Sequence, residues 1–511
     1  MRALPSNGKP PWLEAGVFAA VVLFLLNSLS VNLADLDLWG YLAFGHLFWN
    51  CPNFPYTDVF SYTPTLNPWI YHEWLTGVVL YPTFCAGGAV GLQILKYSLG
   101  LATLGLVYQT ARLRGASPLP AALALVIISP GLTVYYYPMR AQVFSFFLFA
   151  LSFYLLEKAR RGEPWRALLP LPAIQLVWCN LHGGFLAGLG LIVLYGVGEF
   201  FGRRRFLPFF IIFWASLLAT LVNPYGTQYW GYLAVAVLKP RPFITEWTSL
   251  VQFIWRSPDI PMITCLGLLP FLCFYGMYRS RRLETTSVLV LLVLILMAVK
   301  HMRHLIFALL VIGAYLPDTL AGTLEYLESW PWLNKLGGKI YVRRAVLATF
   351  LILTTLLSYR FIKAEPFSIK FPSEPVAGFP FCRHFPEKAV DFIRRHDLKG
   401  NLLSEFGWGE YLIWNLYPRC RVAFDGRYET VYPEEVEQKY WQFYYAGPQW
   451  RSFLESYPPD LILVRPQTKI ARLLEKDPEW VKIYEDRGCV LFTKRSTHTA
   501  KLELTPTILP E

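Results

Sequence analysis

The stretch that decides the reading of this chain opens Asp35-Leu36-Asp37-Leu38-Trp39 and closes Pro68-Trp69-Ile70-Tyr71-His72-Glu73-Trp74. It follows the uncharged run Ala15 to Leu33, which is long enough to cross a bilayer. Two carboxylates therefore stand directly outside a membrane span. Between Asp35 and Trp74 lie Asp58, the histidines His46 and His72, and Glu73, with no Lys or Arg. The stretch is dense in Trp, Tyr, Phe and Pro, which is unlike a flexible linker. It reads as a folded acidic lip over a membrane cavity.

The whole chain supports that frame. Its 511 residues are 54% hydrophobic and 16% charged, too apolar for a soluble protein of this length. The net charge of +12 is spread in short basic clusters between apolar runs, as in cytoplasmic loops, so no nucleic-acid partner is expected. The eight Cys form no CxxC pair and hence no zinc or redox motif. Cys179, Cys265 and Cys273 lie in apolar runs. Cys51, Cys85, Cys382, Cys420 and Cys489 fall in outer segments, where disulfides are open but not fixed by the sequence.

Arg2 and Lys9 precede the first span and place the N-terminus inside. Leu38 to Trp49 reads as a short helix in the first outer loop. Glu73 to Cys85 is apolar but too short to cross, and Gly87-Gly88 ends it, so it reads as an interfacial or re-entrant helix. The remaining spans alternate from Gly91–Ala111 through Pro118–Ile128, Val143–Leu156, Ala167–Val177, Phe185–Val197, Leu207–Val222, Met262–Tyr275, Thr286–Val299 and Leu305–Leu316 to Ala345–Ser358. Inner-side clusters follow at Arg112 and Arg114, Lys158 to Arg166, Arg203-Arg204-Arg205 and Arg279 to Arg282, and Lys335 to Arg344 precede the last span. The expectation is a polytopic α-helical membrane protein of about eleven transmembrane helices.

The membrane region covers 1–360, with its first outer loop at 34–90. A Pro-rich linker follows at 361–380, then a small α/β domain at 381–496 on the outer side, and a disordered tail at 497–511. In that domain Asn401–Leu403, Arg421–Phe424 and Asp460–Val464 read as strands, Pro386–Arg395 and Glu434–Tyr445 as helices, and Trp480–Thr493 as a hairpin.

This topology sorts the polar residues. Asp35, Asp37, His72, Glu73, Arg140, Gln142, Asn180, His182, Asn223, Glu246, Lys300, His301, Arg303 and His304 all fall at outer ends of spans or in outer loops. Ionisable groups at membrane depth are costly and tend to mark a site. Lys300-His301-Met302-Arg303-His304 breaks the expectation that outer loops are poor in cations, and reads as a pocket for an anionic group such as phosphate. Asn180-Leu181-His182-Gly183-Gly184 is a tight turn in which His182 donates or accepts; Asn223-Pro224-Tyr225-Gly226 is an ordinary turn signal. Asp425-Gly426-Arg427 reads as a plain strand end and turn. The Asp35/Asp37 pair reads either as caps for the following helix or as a general base with an orienting carboxylate. A divalent metal, Mg or Mn, would take Asp35 and Asp37 as ligands, with His72 and Glu73 nearby.

The order Asp35-x-Asp37-x-Trp39, Asp58-x-Phe60-Ser61-Tyr62-Thr63, Trp69-x-x-His72-Glu73-Trp74, His182-Gly183-Gly184 and Asn223-Pro224-x-Gly226 resembles bacterial membrane glycosyltransferases of the GT-C superfamily. It is similar to the protein O-mannosyltransferases and aminoarabinose transferases. The resemblance runs in patches from Asn32 to Leu316. It implies a polyprenyl-phosphate-linked sugar donor and a catalytic acid in the first outer loop, which Asp37 matches best and Asp35 second. It further implies a bacterial inner membrane, with the C-terminal domain periplasmic. Close relatives carry a Trp and a His after the position of Trp39, where this chain has Gly40-Tyr41.

The expected substrate-binding set is His72, Glu73, Arg140, His182, Asn223, Glu246, Lys300, Arg303 and His304. The aromatic residues Trp39, Tyr62, Trp69 and Trp74 are expected to stack on sugar faces. The sugar, and whether the acceptor is a glycan, lipid or protein, stay open. A flippase of lipid-linked saccharide, or a non-catalytic glycan-binding assembly protein, would fit the same composition. The clustering of polar groups on one face favours the enzyme.

Overall fold

The computed structural model describes residues 11–495 except 52, 137, 163, 203–205, 240, 242–244, 257–259, 332–337, 364 and 374–383. Arg2, Lys9, Arg203-Arg204-Arg205, Lys335, Pro375, Pro380, Cys382 and the tail after Arg495 lie outside the described residues. The chain divides into two compact units. The first comprises residues 1–32, 89–230 and 237–369; the second comprises 33–88, 231–236 and 370–511.

The first unit is helical. Most expected spans fall on a single helix, from Pro11–Ser28 through Gln142–Arg161 and Phe185–Phe201 to Gly338–Lys363, whereas the expected Ala167–Val177 is divided between Pro164–Leu168 and Leu171–Leu181. At its centre lies Leu305–Tyr315, all of whose residues are buried. A helix apolar on every side belongs in the interior. The expected count of about eleven crossings is not what helix length alone gives. Among the described residues, two helices, Trp74–Leu113 and Gln142–Arg161, are long and apolar enough to cross a membrane. A third arises if Met302–Tyr315 and Pro317–Leu327, bent by 43°, are one span. Shorter apolar helices such as Phe185–Phe201 and Thr285–Lys300 fall below the ~20 residues of a full crossing.

The helix Trp74–Leu113 is interrupted at Gly88, whose φ of +55° and ψ of −147° are tolerated by glycine. The expected stop at Gly87-Gly88 is thus present as a break, and the unit boundary falls there.

Helix ends that the sequence assigns to the inner side carry ion pairs, several of them gathered on the buried Glu157. Glu157 accepts hydrogen bonds from Tyr195 Oη at 2.7 Å and Arg161 Nη2 at 3.2 Å, and pairs with Arg114 and Arg160 at 3.4 Å. Arg160 Nε donates to Glu199 at 2.6 Å, and Arg282 pairs with Asp318 at 2.8 Å. Buried charges persist when paired in this way. The clusters read as loop charges are therefore partly interior struts.

The second unit joins the first loop to the C-terminal domain. Its five-stranded sheet has the order β2-β1-β3-β5-β4, with β1 Gly400–Ser404, β2 Cys420–Val422, β3 Leu461–Val464, β4 Trp480–Glu485 and β5 Val490–Lys494. β1 pairs parallel with β2 and β3; β5 pairs antiparallel with β3 and β4. The expected strands, hairpin and the helices Glu387–Arg395 and Glu434–Tyr444 are all present. Helices at Gly409–Leu416, Arg451–Ser456 and Lys469–Lys476 were not anticipated.

The sequence reading counted residues 34–90 with the membrane region, whereas contacts group 33–88 with the sheet domain. The reason is a backbone seam. Ser61 bridges Val422 in parallel, Tyr62 N donates to Val422 O at 3.1 Å, and Val422 N donates to Phe60 O at 3.0 Å. Thr63 Oγ1 donates to Ala423 O at 2.7 Å and Leu66 N to Val431 O at 2.7 Å. The loop thus covers the β2 edge, which would otherwise expose unpaired backbone groups.

Among the described residues no disulfide joins the cysteines; Cys51 and Cys85 are exposed, Cys420 and Cys489 buried.

Candidate functional site

In the second unit, the helix Leu38–Asn50 starts directly after the acidic pair. Asp37 is its N-cap residue, yet the Asp37 side chain makes no cap hydrogen bond. Asp35 is 2% exposed, and its Oδ1 accepts the Asp37 N–H at 3.2 Å. The pair therefore does not cap the helix as one of the two readings supposed. The amide of Gly40, in the first turn, is instead satisfied by Glu410 Oε2 at 3.0 Å. Glu410 lies in the helix Gly409–Leu416 and is buried. Burial, then the negative charges of Asp37 and Asp425, hold its carboxyl well above the ordinary carboxylate range, against the pull of Arg427 and the Gly40 N–H.

Below this group sits Arg427. It donates to Asp425 through Nε at 2.9 Å and Nη2 at 2.7 Å, pairs with Asp58, and donates to Ser61 Oγ at 3.1 Å. Tyr432 Oη donates to Asp425 Oδ2 at 2.5 Å, and Ser61 N to Asp58 Oδ2 at 2.8 Å. Burial alone would lower the Arg427 pKa, but Asp425 and Asp58 reverse it and hold the guanidinium charged. The turn read as an ordinary strand end is thus a buried, fully engaged ion cluster.

Tyr41 Oη donates to Glu73 Oε2 at 2.6 Å, and His72 Nε2 stands 3.6 Å from Glu73 Oε1. The expected pair His72-Glu73 is therefore present as a pair, anchored to the same helix that begins at Leu38.

The expected aromatic wall is not a sugar platform throughout. Trp39 is 5% exposed and rings with Phe371, Phe385 and Tyr411 at 4.9–5.6 Å. Trp69 is 0% exposed against Phe44 and Tyr71. Both are core side chains. Trp74 packs on Phe48 and Phe54.

In the first unit, Arg140, Glu246, Lys300, Arg303 and His304 gather with Trp247. Arg140 Nη1 pairs with Glu246 Oε1 at 2.7 Å. The guanidiniums of Arg303 and Arg241 lie 4.5 and 4.2 Å from the Trp247 ring centroid. His301 Nδ1 meets Trp247 O at 2.8 Å and Met302 N donates to Thr248 O at 3.1 Å, so the cationic segment is fastened to the loop that carries Glu246. Lys300 is exposed at the end of its helix, and His304 Nδ1 faces Met297 O at 3.3 Å.

His182 is 6% exposed. Its Nδ1 accepts the Gly184 N–H at 3.0 Å, so the neutral ring carries its proton on Nε2. Ser145 Oγ stands 2.7 Å from the same Nδ1 and accepts Trp178 Nε1–H at 2.6 Å. Asn223 is spent on its own turn: its amide donates to Thr220 O at 2.8 Å and its Oδ1 accepts Tyr225 N–H at 2.8 Å.

Of the expected set, the structure brings Asp35, Asp37, His72 and Glu73 into the second unit. Arg140, Glu246, Lys300, Arg303 and His304 form one patch in the first; His182 and Asn223 lie elsewhere in it. Sequence reasoning missed Glu410, Arg241 and Ser145. A charge inside Gly409-Glu410-Tyr411-Leu412-Ile413-Trp414 was the available signal for Glu410. For a divalent ion, Asp35 is already engaged with the Asp37 amide. Among the described residues no three His, Cys, Asp or Glu side chains are arranged to hold a metal.

No protein-family model and no curated protein matches the sequence. Solved structures do. The oligosaccharyltransferase of Archaeoglobus fulgidus, tethered with an acceptor peptide, aligns at TM-score 0.58 and 12% identity over 96% of this chain and 75% of its own. ArnT from Cupriavidus metallidurans, bound to undecaprenyl phosphate, aligns at 0.53 and 13% over 96% of this chain and 98% of its own. Mycobacterial arabinofuranosyltransferase AftD aligns at 0.54 and 14% over 96% of this chain, which spans 40% of AftD. At these identities the likeness is one of fold alone: the chain shares the fold of these three proteins.

Proposed function

We propose that the chain transfers a hexosyl or pentosyl group from a polyprenyl-phosphate-linked donor to an acceptor at the outer face of a bacterial inner membrane. The N-terminus is cytoplasmic and the C-terminal domain periplasmic. The ion pairs at helix ends read as inner, and the meeting of Arg140, Glu246 and Arg303 in a separate patch, support that alternation.

The observation that carries the reading is Asp37 at the first turn of Leu38–Asn50, its side chain outside the capping role that such a residue ordinarily takes. Asp37 removes the proton from an acceptor O–H or N–H as that atom attacks the anomeric carbon. The bond from the anomeric carbon to phosphate oxygen breaks, and its electrons leave with the polyprenyl phosphate. In the first unit, Lys300 and Arg303 are the cations suited to hold a phosphate of this kind. A single displacement inverts the anomeric configuration. The ArnT structure with undecaprenyl phosphate supports a donor of this class.

Mass spectrometry of envelope glycans and lipid-linked saccharides in a strain lacking the gene tests the proposal. The expected result is loss of one sugar substituent with accumulation of its monosaccharide lipid donor. An unchanged glycan and lipid profile would overturn it.

A further inference from the structure

Helix starts leave their first amides without intrahelical partners, and the N-cap side chain normally takes one of them. At Leu38–Asn50 the N-cap residue is an aspartate, one of the best capping types, and it does not cap. The acceptor for the Gly40 amide comes instead from Glu410, 370 residues further along the chain. Two glycines make room for that carboxyl. A Cβ on Gly40 would overlap the Glu410 carboxylate. A Cβ on Gly426 would lie 2.7 Å from Glu410 Oε1 and 3.4 Å from Asp37 Oδ1, so both acids face the same glycine.

We propose that Glu410 is a positioning residue that caps the helix in place of Asp37, and so keeps the Asp37 carboxylate turned away from its own helix and toward the reaction. This rests on the reading of Asp37 as the base. The cap needs one oxygen and no charge, and the burial of Glu410 beside Asp37 and Asp425 favours its neutral form. The C-terminal domain then does more than cover the first loop: it supplies the residue that orients the loop's acid. If the Glu410 oxygen is lost, Asp37 can take the Gly40 amide as an N-cap side chain ordinarily does, and capping competes with proton transfer.

The test uses the full-length protein in nanodiscs and three variants. Hydrogen exchange of the peptide spanning residues 38–42 reads the cap. Glu410→Ala is expected to speed exchange there tenfold or more, and Glu410→Gln, which retains an oxygen, to restore protection. Gly40→Ala leaves Glu410 in place but displaces its carboxyl. The proposal expects this variant to lose transfer while staying folded. Restoration of the missing glycan in the deletion strain reads transfer: Glu410→Ala and Gly40→Ala are expected to fall at least tenfold, and Glu410→Gln to recover most of the loss. Unchanged exchange in Glu410→Ala, or a Glu410→Gln variant as impaired as Glu410→Ala, overturns the proposal. A cap that behaves as expected while Asp37→Asn restores the glycan fully would instead overturn the role of Asp37 and leave the cap standing, so the two failures are distinct.

Discussion

Arg427, near the end of the sheet domain's second strand, pairs with Asp58 of the first loop, 369 residues earlier. The same guanidinium holds Asp425 at 2.7 Å, and none of the three charges is reached by solvent beyond 2% of its side chain. One cation therefore balances two buried carboxylates, and the loop cannot separate from the sheet without leaving them uncompensated.

Removing that cation should be costly. Arg427→Ala strands both carboxylates, and breaking a buried pair costs about 3–5 kcal/mol. Thermal unfolding of the purified protein should show a large drop for Arg427→Ala. It should be smaller for Asp58→Asn, which leaves Arg427 its bond to Asp425. Equal stability of wild type and Arg427→Ala would contradict the clamp.

The cationic patch should read phosphate. Arg303 lies over Trp247, and a guanidinium can both stack and bind a phosphate with two parallel bonds. Arg303→Lys keeps the charge but loses both, and should weaken binding of undecaprenyl phosphate roughly tenfold, about 1.4 kcal/mol. The readout is ligand-induced thermal shift. Unchanged binding by Arg303→Ala would move the donor phosphate elsewhere.

The acidic pair separates a base from a metal site. Asp35 accepts the Asp37 amide, so Asp35→Asn should retain more activity than Asp37→Asn. A chelator should leave transfer intact. Loss of transfer on chelation, restored by Mg or Mn, together with equal loss in both variants, would reassign the pair to a metal ion.

The sidedness has its own check. Reporters fused near Asn53 and after Ser496 should both be active in the periplasm. Cytoplasmic activity from either would reject the proposed topology.

Local pattern made much of the fold legible. Leu461–Val464 reads as a strand because a branched apolar run follows Pro458-Pro459-Asp460, and the break at Gly88 reads from a Gly pair inside an apolar stretch. The helix Lys469–Lys476 could have been found from its cap, since Thr468 accepts the Ala471 amide. What stayed hidden is non-local. Nothing around Glu410 names Gly40 as its partner, and nothing around Arg427 names Asp58, because each pair joins segments about 370 residues apart in the chain. Trp39 and Trp69 read as exposed platforms although they are core. The cationic segment at Lys300–His304 was legible because its charge sign is wrong for the outer loop to which the sequence reading assigns it, but Arg241 and Trp247 join it only through tertiary contact.

The central claim is that Asp37 is the base for sugar transfer from a lipid phosphate. The most direct measurement is quantitative mass spectrometry of envelope glycans from the deletion strain carrying Asp37→Asn, expressed at wild-type level. Asn keeps the size of Asp and removes the proton-accepting charge. The account predicts that transfer falls by about 100- to 10,000-fold while the protein inserts and folds normally. Glycan restored to the wild-type amount by Asp37→Asn would contradict it.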